Sequence, residues 1–148
     1  MTIRPTAAPH VPRELEWAGA LVLLGVALSL LAPGATFSRP TFNAFQAIAP
    51  EGTWGMGLLG IATVRMLGLW INGNWRRSPT IRCGTAFAGA AAWFGLAWLL
   101  AHDGYPGWNT GVGAYAALGL LDVFAFARSS FDQGRNDRRH ALARRAAA

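Results

Sequence analysis

The sequence predicts an all-α integral membrane protein whose four transmembrane helices form an antiparallel bundle. Its four apolar stretches approach the ~20 residues that a helix needs to cross a ~30 Å hydrocarbon layer. They cover about residues 15–31, 54–71, 83–101 and 111–127. All 13 basic residues are arginines, and 11 of them share one side of the bilayer when the first stretch begins in the cytoplasm.

The arginine distribution predicts that both chain ends lie in the cytoplasm. Short loops rich in arginine stay on the cytoplasmic side, so this orientation follows from the positive-inside rule. The residues that we expect to set the topology most strongly are Arg76, Arg77, Arg82, Arg138 and Arg139. The other six on this side are Arg4, Arg13, Arg128, Arg135, Arg144 and Arg145, whereas Arg39 lies outside and Arg65 lies within the second span.

The segments outside the spans complete the predicted organisation. Residues 1–12 contain three prolines and are expected to form a disordered cytoplasmic arm before a membrane domain over residues 13–130. Asn72-Gly73 is expected to end the second helix, and Asn109 or Thr110 to cap the fourth. The fourth helix should continue to Gly134, and residues 131–148 form a basic cytoplasmic tail, either helical or frayed.

The longest loop, from Pro33 to about Gly52, has two interpretations. Phe42, Phe45 and Ile48 recur every three residues, which favours a short amphipathic helix in the outer membrane interface. The alternative is a loop that packs its aromatic side chains onto the bundle.

Two charged residues lie inside the predicted bilayer. Arg65 lies seven positions before Asn72, at the cytoplasmic end of the second span, and Asp122 lies six positions before Arg128, at that of the fourth. At ~1.5 Å per residue, both lie about 9–10 Å deep from the same side. Charges at such depth usually pair, because an isolated one costs several kcal/mol. We therefore predict an Arg65–Asp122 ion pair, which is either a proton- or ion-responsive site or a structural clamp.

Small residues predict where helices approach each other closely, since helix packing in lipid relies on them. The predicted helix-packing face on the third span comprises Gly84, Ala88, Ala92 and Gly95, with Ala91 beside it. Less regular small faces are Gly57 and Gly60 on the second span and Gly111, Gly113, Ala117 and Gly119 on the fourth. These faces serve either packing within one chain or association between copies.

The sequence does not predict an enzyme, and no catalytic, cofactor-binding or metal-binding residues are assigned. The three histidines lie outside the spans, so no imidazole pair could hold a haem between helices. The single cysteine, Cys83, excludes an internal disulfide. A net charge of +6 is typical of some nucleic-acid-binding proteins, but arginines that orient the chain and face anionic lipid explain it more simply.

Three loop segments resemble those of small four-helix membrane proteins of bacteriophages and prophages. They are Leu31-Ala32-Pro33-Gly34-Ala35-Thr36-Phe37-Ser38, Ala49-Pro50-Glu51-Gly52-Thr53-Trp54-Gly55 and Ile71-Asn72-Gly73-Asn74-Trp75-Arg76-Arg77-Ser78-Pro79. The resemblance implies a multi-pass protein of the bacterial inner membrane, which is the host membrane for a phage-encoded chain. It also implies a holin-like role, in which the protein accumulates and opens the membrane during lysis.

Three functional hypotheses follow from these observations. The first is a non-enzymatic, holin-like membrane permeabiliser whose copies associate laterally through their small faces. The second is a small ion- or proton-responsive transporter subunit that uses Arg65 and Asp122. The third is a scaffold or inhibitor that binds another membrane protein through its outer loop and aromatic residues.

Overall fold

In a computed structural model, residues 13–74, 79–102 and 109–146 are described, and all the regular structure in them is helical. The elements are α1 (Arg13–Leu31), two 3₁₀ turns (Thr36–Ser38 and Pro40–Phe42), α2 (Asn43–Gln46), α3 (Glu51–Asn74), α4 (Pro79–Ala101) and α5 (Thr110–Ala146). Four helices are long and apolar enough to span a membrane. The qualifying segments are Glu14–Leu31, Glu51–Ile71, Thr80–Ala101 and Thr110–Phe131, so the all-helical fold and the four candidate spans agree with the sequence prediction.

The bundle consists of two helical hairpins. Helix α1 packs extensively against α3, and α4 packs extensively against α5, whereas α3 against α4 is less extensive and α1 against α5 is sparse. One end of the bundle is covered by the loop of residues 32–50, and we call it the cap end. The opposite end, where α1 and α4 begin and α3 ends, we call the terminal end. The α1–α3 hairpin and the α4–α5 hairpin therefore meet along a seam whose contacts are less extensive than those within either hairpin.

Close approach within the hairpins occurs at particular glycines. A Cβ on Gly55 of α3 would lie 2.7 Å from Cγ of Leu31 on α1, and one on Gly119 of α5 would lie 3.0 Å from the ring of Phe94 on α4. Both distances are below ordinary van der Waals contact. Only glycine allows these helix backbones to come so near to their neighbours.

Within the chain, the predicted small face on α4 does not form a close helix contact at its two glycines. Gly84 and Gly95 are exposed, and a Cβ on either would meet nothing within 4 Å, while Ala88 and Ala92 are half-buried. The buried side of α4 instead consists of Ala86, Gly89, Ala90, Trp93, Leu96, Ala97 and Leu100. Small residues occur all round this helix, so the sequence could not indicate which of its sides faces inward.

The glycines predicted to form small faces on α3 and α5 differ in whether they contact another helix of the chain. Gly57 and Gly60 on α3, and Gly113 on α5, also have open space where a Cβ would stand. Gly111 and Gly119 do lie against α4, where a Cβ on Gly111 would be 2.8 Å from Cδ1 of Leu100.

Two helix ends also differ from the prediction. Helix α3 continues through Asn72-Gly73 to Asn74, and α5 passes Gly134 without a break and ends at Ala146. With 37 residues, α5 is about 55 Å long at ~1.5 Å per residue, well beyond the length of a membrane span. At its start, Asn109 is the cap, because its Oδ1 accepts the backbone N–H of Gly111 at 2.8 Å.

The distribution of side chains is opposite to that of a water-soluble bundle. Large apolar side chains on all four long helices are exposed, among them Leu28, Met56, Phe87, Trp98 and Leu120. Charged side chains are buried instead, namely Glu16, Arg65 and Asp122. An apolar exterior with ionisable groups inside is typical of bundles that have lipid as their solvent.

The long loop forms a folded cap on one end of the bundle. Phe37 and Phe45 are buried, Phe37 stacks on Phe42 with ring centroids 5.2 Å apart, and Phe45 meets Trp54 of α3 edge to face at 5.4 Å. The carboxylate of Glu51 accepts the backbone N–H groups of Thr36 and Phe37 at 3.2 and 3.1 Å. Of the two interpretations of this loop, the structure therefore supports the one in which the aromatic side chains pack onto the bundle.

The apolar core lies in the half of the bundle next to this cap. Trp93 of α4 is completely buried at its centre, and its ring lies 5.4 Å from that of Tyr115 on α5. The rest of the buried cluster comprises Leu23, Ala27, Leu30, Phe37, Phe45, Leu58, Ala62, Leu96 and Leu100. The half of the bundle near the terminal end is filled differently, because it holds the buried charges.

Candidate functional site

The predicted Arg65–Asp122 ion pair is present and joins the two hairpins. Arg65 of α3 donates from both terminal nitrogens to the carboxylate of Asp122 on α5, with Nη2 to Oδ1 at 2.6 Å and Nη1 to Oδ2. Both residues are buried, at 2% and 4% exposure. Such a two-bond arrangement fixes the orientation of both side chains as well as neutralising their charge.

Two glycines make room for this pair. A Cβ on Gly89 of α4 would lie 2.6 Å from Cζ of Arg65 and closer still to Nη1, so any side chain there would overlap the guanidinium. On the other side, a Cβ on Gly19 of α1 would lie 3.5 Å from Nη2 of Arg65 and 3.9 Å from Oδ1 of Asp122. All four long helices therefore meet at the ion pair, two through charged side chains and two through glycine backbone.

A second ion pair joins the hairpins nearer the terminal end. Arg82 of α4 binds the carboxylate of Glu16 on α1 through Nη2 to Oε1, and through Nε to Oε2 at 3.4 Å. The Glu16 side chain is 7% exposed, whereas the Arg82 side chain is 26% exposed. The carboxylate is thus inside the bundle, while the guanidinium still reaches its surface.

A small, largely apolar cavity has both Glu16 and Asp122 among its lining residues. It has a volume of about 20 Å³, lies between α1 and α5, and is lined by Leu15, Glu16, Leu121, Asp122, Phe124 and Ala125. Room for a single water needs about 10–15 Å³, so the space is large enough for one. Glu16 precedes Gly19 by three residues, about 4.5 Å along the helix axis, so its carboxylate lies about one turn from the first ion pair.

This arrangement can keep two positive and two negative groups in the bundle interior with no net charge. Removing one partner of a buried pair leaves a charge that is neither solvated nor paired, which costs about 3–5 kcal/mol. Among the described residues, no group of three or more His, Cys, Asp or Glu side chains could hold a metal ion. The site itself offers four charged groups that can exchange ion-pair partners.

The other predicted site residues fall into two groups. Arg82, which we expected only to set topology, is the partner of Glu16. Arg76 and Arg77 lie outside the described residues. Arg138 and Arg139 belong to the extension of α5 beyond the candidate span, where the backbone is helical and the side chains are outside the described part of the chain.

Sequence reasoning missed the Glu16–Arg82 pair and the glycines at the first pair. A signal for the second pair was present, because Glu16 and Arg82 each lie three residues after the first residue of their helix at the same end of the bundle. Comparing distances along the helices from one end of the bundle paired Arg65 with Asp122, and the same comparison would have paired Glu16 with Arg82. The roles of Gly19 and Gly89 had no such signal among 18 glycines.

Comparisons with protein-family models, with curated proteins and with solved structures found no match to this chain.

Proposed function

We propose that the chain is a non-enzymatic, multi-pass protein of the bacterial inner membrane, with the terminal end of the bundle at the cytoplasmic face. The exposed apolar side chains and the buried, paired charges support lipid as its solvent. The arginines near the terminal end support the orientation. Reporter fusions test it, since an exported reporter at either chain terminus would contradict this topology.

Within this class, we propose a holin-like membrane permeabiliser. The observation that carries the proposal is the seam between the hairpins, which contains both ion pairs and has less extensive contacts than either hairpin. When several copies associate, the hairpins of each copy separate along this seam. Arg65, Asp122, Glu16 and Arg82 then line a water-filled opening, which solvates their charges in place of the ion pairs.

Lateral association in this mechanism uses an exposed side of α4. Gly84, Ala91 and Gly95 offer no side chain larger than a methyl group there, and Phe87 and Trp98 project beside them with 63% and 64% exposure. Such a surface allows close approach of a helix from another copy. The small face predicted on α4 thus keeps a role in the proposal between copies, although its glycines do not pack within the chain.

Induced expression in a bacterium tests the permeabiliser directly. Wild-type chain should admit a membrane-impermeant dye, stop respiration and lower culture density. A matched control is Arg65→Leu/Asp122→Leu, which removes both charges together and so leaves no unpaired charge in the bundle. This variant should accumulate in the membrane to the same level without admitting dye. Continued growth at high membrane levels of the wild-type chain would contradict the proposal.

The second candidate is a small ion- or proton-responsive transporter subunit. The cavity that Glu16 and Asp122 both line favours it, because it brings two acidic residues of different helices to one space inside the bundle. Here the hairpins stay together, and the charged groups respond to ions that reach them from the terminal end. Intramembrane carboxylates commonly mark proton or ion pathways.

The two candidates differ in their response to Asp122→Asn, which keeps the shape of the side chain. A transporter subunit should lose its effect on growth with this change while the protein stays in the membrane at normal levels. The permeabiliser should retain dye entry, because an amide still lines the opening with a polar group. Dye entry abolished by Asp122→Asn alone would count against the permeabiliser.

The third hypothesis, a scaffold that binds a partner through its outer loop, loses its main support. Phe37 and Phe45 are buried in the cap and contact other parts of the same chain. Their side chains are therefore not available to a partner in this conformation.

A further inference from the structure

We propose that Asp122 is a proton-binding site, and that proton uptake is accompanied by transfer of Arg65 from Asp122 to Glu16 and release of Arg82 to solvent. This inference takes the second candidate function one step further, because it names the proton as the ligand. It concerns the purified bundle, however, and holds whether or not the chain transports anything.

A buried ion pair on its own is a poor proton-binding site. Protonating Asp122 would leave the guanidinium of Arg65 buried at 2% exposure with no charged partner. An unpaired buried charge of this kind opposes protonation strongly. Asp122 can therefore bind a proton only if Arg65 has a second carboxylate within reach.

Glu16 is that second carboxylate. It lines the same cavity as Asp122 and lies one helical turn from Gly19, whose backbone already borders Nη2 of Arg65. Gly19 has no side chain to separate Arg65 from Glu16. The guanidinium can thus move along α1 toward the terminal end and exchange one carboxylate for the other.

Arg82 makes this exchange complete. Its side chain is already 26% exposed, so after losing Glu16 the guanidinium can turn into water near the end of the bundle. A proton from solvent bonds to one Asp122 oxygen, Arg65 passes its hydrogen bonds to Glu16, and Arg82 becomes solvated. In both arrangements every buried charge has a partner, and the bundle interior stays neutral.

The charged groups around Asp122 are few. Helix α3 presents Arg65, α1 presents Glu16, and α4 presents the glycine backbone at Gly89, with Arg82 reached only through Glu16. On α5 itself, the nearest is Arg128, six residues toward the terminal end, which has interactions of its own. Among the described residues, Arg65 is therefore the charged group in direct contact with Asp122.

The first test is infrared difference spectroscopy on the purified full chain in micelles during a pH titration. Wild-type protein should gain a C=O stretching component at the higher wavenumber of a buried carboxylic acid, separate from the band of the exposed carboxylic acids, and this component should be missing in Asp122→Asn. In Glu16→Gln, Arg65 has no second carboxylate, so at least tenfold more acid should be needed to reach the same component. Glu14→Gln changes an exposed carboxylate two residues away and should behave as wild type.

The second test follows Arg82 at one fixed pH by phenylglyoxal modification and mass spectrometry. Asp122→Asn imitates the protonated residue, so modification of Arg82 should be severalfold faster than in the wild type. A high-wavenumber component that persists in Asp122→Asn, an unchanged titration in Glu16→Gln, or an unchanged Arg82 rate would each overturn the proposal. So would the absence of any such component down to the pH at which the protein unfolds.

These outcomes are separable from the transporter question. A proton-dependent component of this kind in a chain that has no effect on ion movement would leave the site intact and contradict the transporter function. Ion movement that depends on Asp122 but occurs without partner exchange would support the transporter function and contradict the proposed exchange.

Discussion

The half of the bundle next to the cap is filled by aromatic and aliphatic side chains around Trp93, whereas the half near the terminal end holds two ion pairs beside glycines, buried alanines and Leu69. A close-packed apolar side chain fits the one space that its neighbours form, so it has no second site to occupy. Paired charges can exchange partners if another opposite charge is near. The same four helices therefore combine a half held by apolar packing with a half that also contains paired charges.

The seam between the hairpins runs through both halves. Near the cap, Trp93 of the α4–α5 hairpin belongs to the same buried cluster as Leu23 and Leu58 of the α1–α3 hairpin. Near the terminal end, the hairpins are joined by Arg65–Asp122 and Glu16–Arg82. Variants in the two halves should thus differ in how strongly a second substitution compensates for the first.

The largest effect is expected from breaking the buried ion pair on one side. Arg65→Ala leaves the Asp122 carboxylate without its partner and should lower the free energy of unfolding by about 3–5 kcal/mol. Adding Asp122→Ala removes the unpaired charge, so the double variant should be more stable than the sum of the two single losses allows. Denaturant unfolding in mixed micelles measures all three variants. Strict additivity would contradict a coupled pair.

Truncating the central side chain of the apolar half should lower the free energy of unfolding by about 3 kcal/mol. Trp93→Ala removes a fully buried indole and leaves a cavity that its neighbours cannot fill completely. Trp98→Ala, at a site 64% exposed on the same helix, is the matched control and should change stability by less than about 0.5 kcal/mol. The same unfolding measurement applies, and equal losses at both positions would show that the core is not where we place it.

A smaller effect, about 1–3 kcal/mol, is expected at the glycine beside the first ion pair. Gly89→Ala inserts a methyl group into the space of the Arg65 guanidinium, and overpacking a filled site destabilises by this amount. Gly84→Ala, five residues earlier on α4, meets nothing within 4 Å and should be neutral or slightly stabilising. Thermal unfolding in micelles compares the two, and a Gly89→Ala variant as stable as Gly84→Ala would contradict the close approach.

The smallest effect is expected at the second ion pair. Glu16→Gln removes the partner of Arg82, but the Arg82 side chain is 26% exposed and can be solvated instead. The loss should stay near ~1 kcal/mol, the upper range for a partly exposed pair, and should shrink as salt is added. Denaturant unfolding at low and high salt measures it. If Glu16→Gln lowered the free energy of unfolding as much as Arg65→Ala does, the Glu16–Arg82 pair would be as buried in effect as the Arg65–Asp122 pair, and the contrast between them would be wrong.

The span pattern and the first ion pair could be read without tertiary information. Length and hydropathy are local properties of a segment, so the four candidate spans match those in the structure to within a few residues. Arg65 and Asp122 could be paired because depth along a straight helix depends only on residue number. The cost of an isolated charge in an apolar medium then required a partner.

Which side of each helix faces inward was decided only by the packed bundle. Glycine and alanine occur on every side of α4, so its composition could not distinguish Gly89 at the ion pair from Gly84 in open space. The cap likewise depends on contacts across the fold, such as the Glu51 carboxylate on the backbone of Thr36 and Phe37. Rotation about a helix axis is set by neighbouring helices, because an apolar solvent exerts little preference among sides that are all apolar.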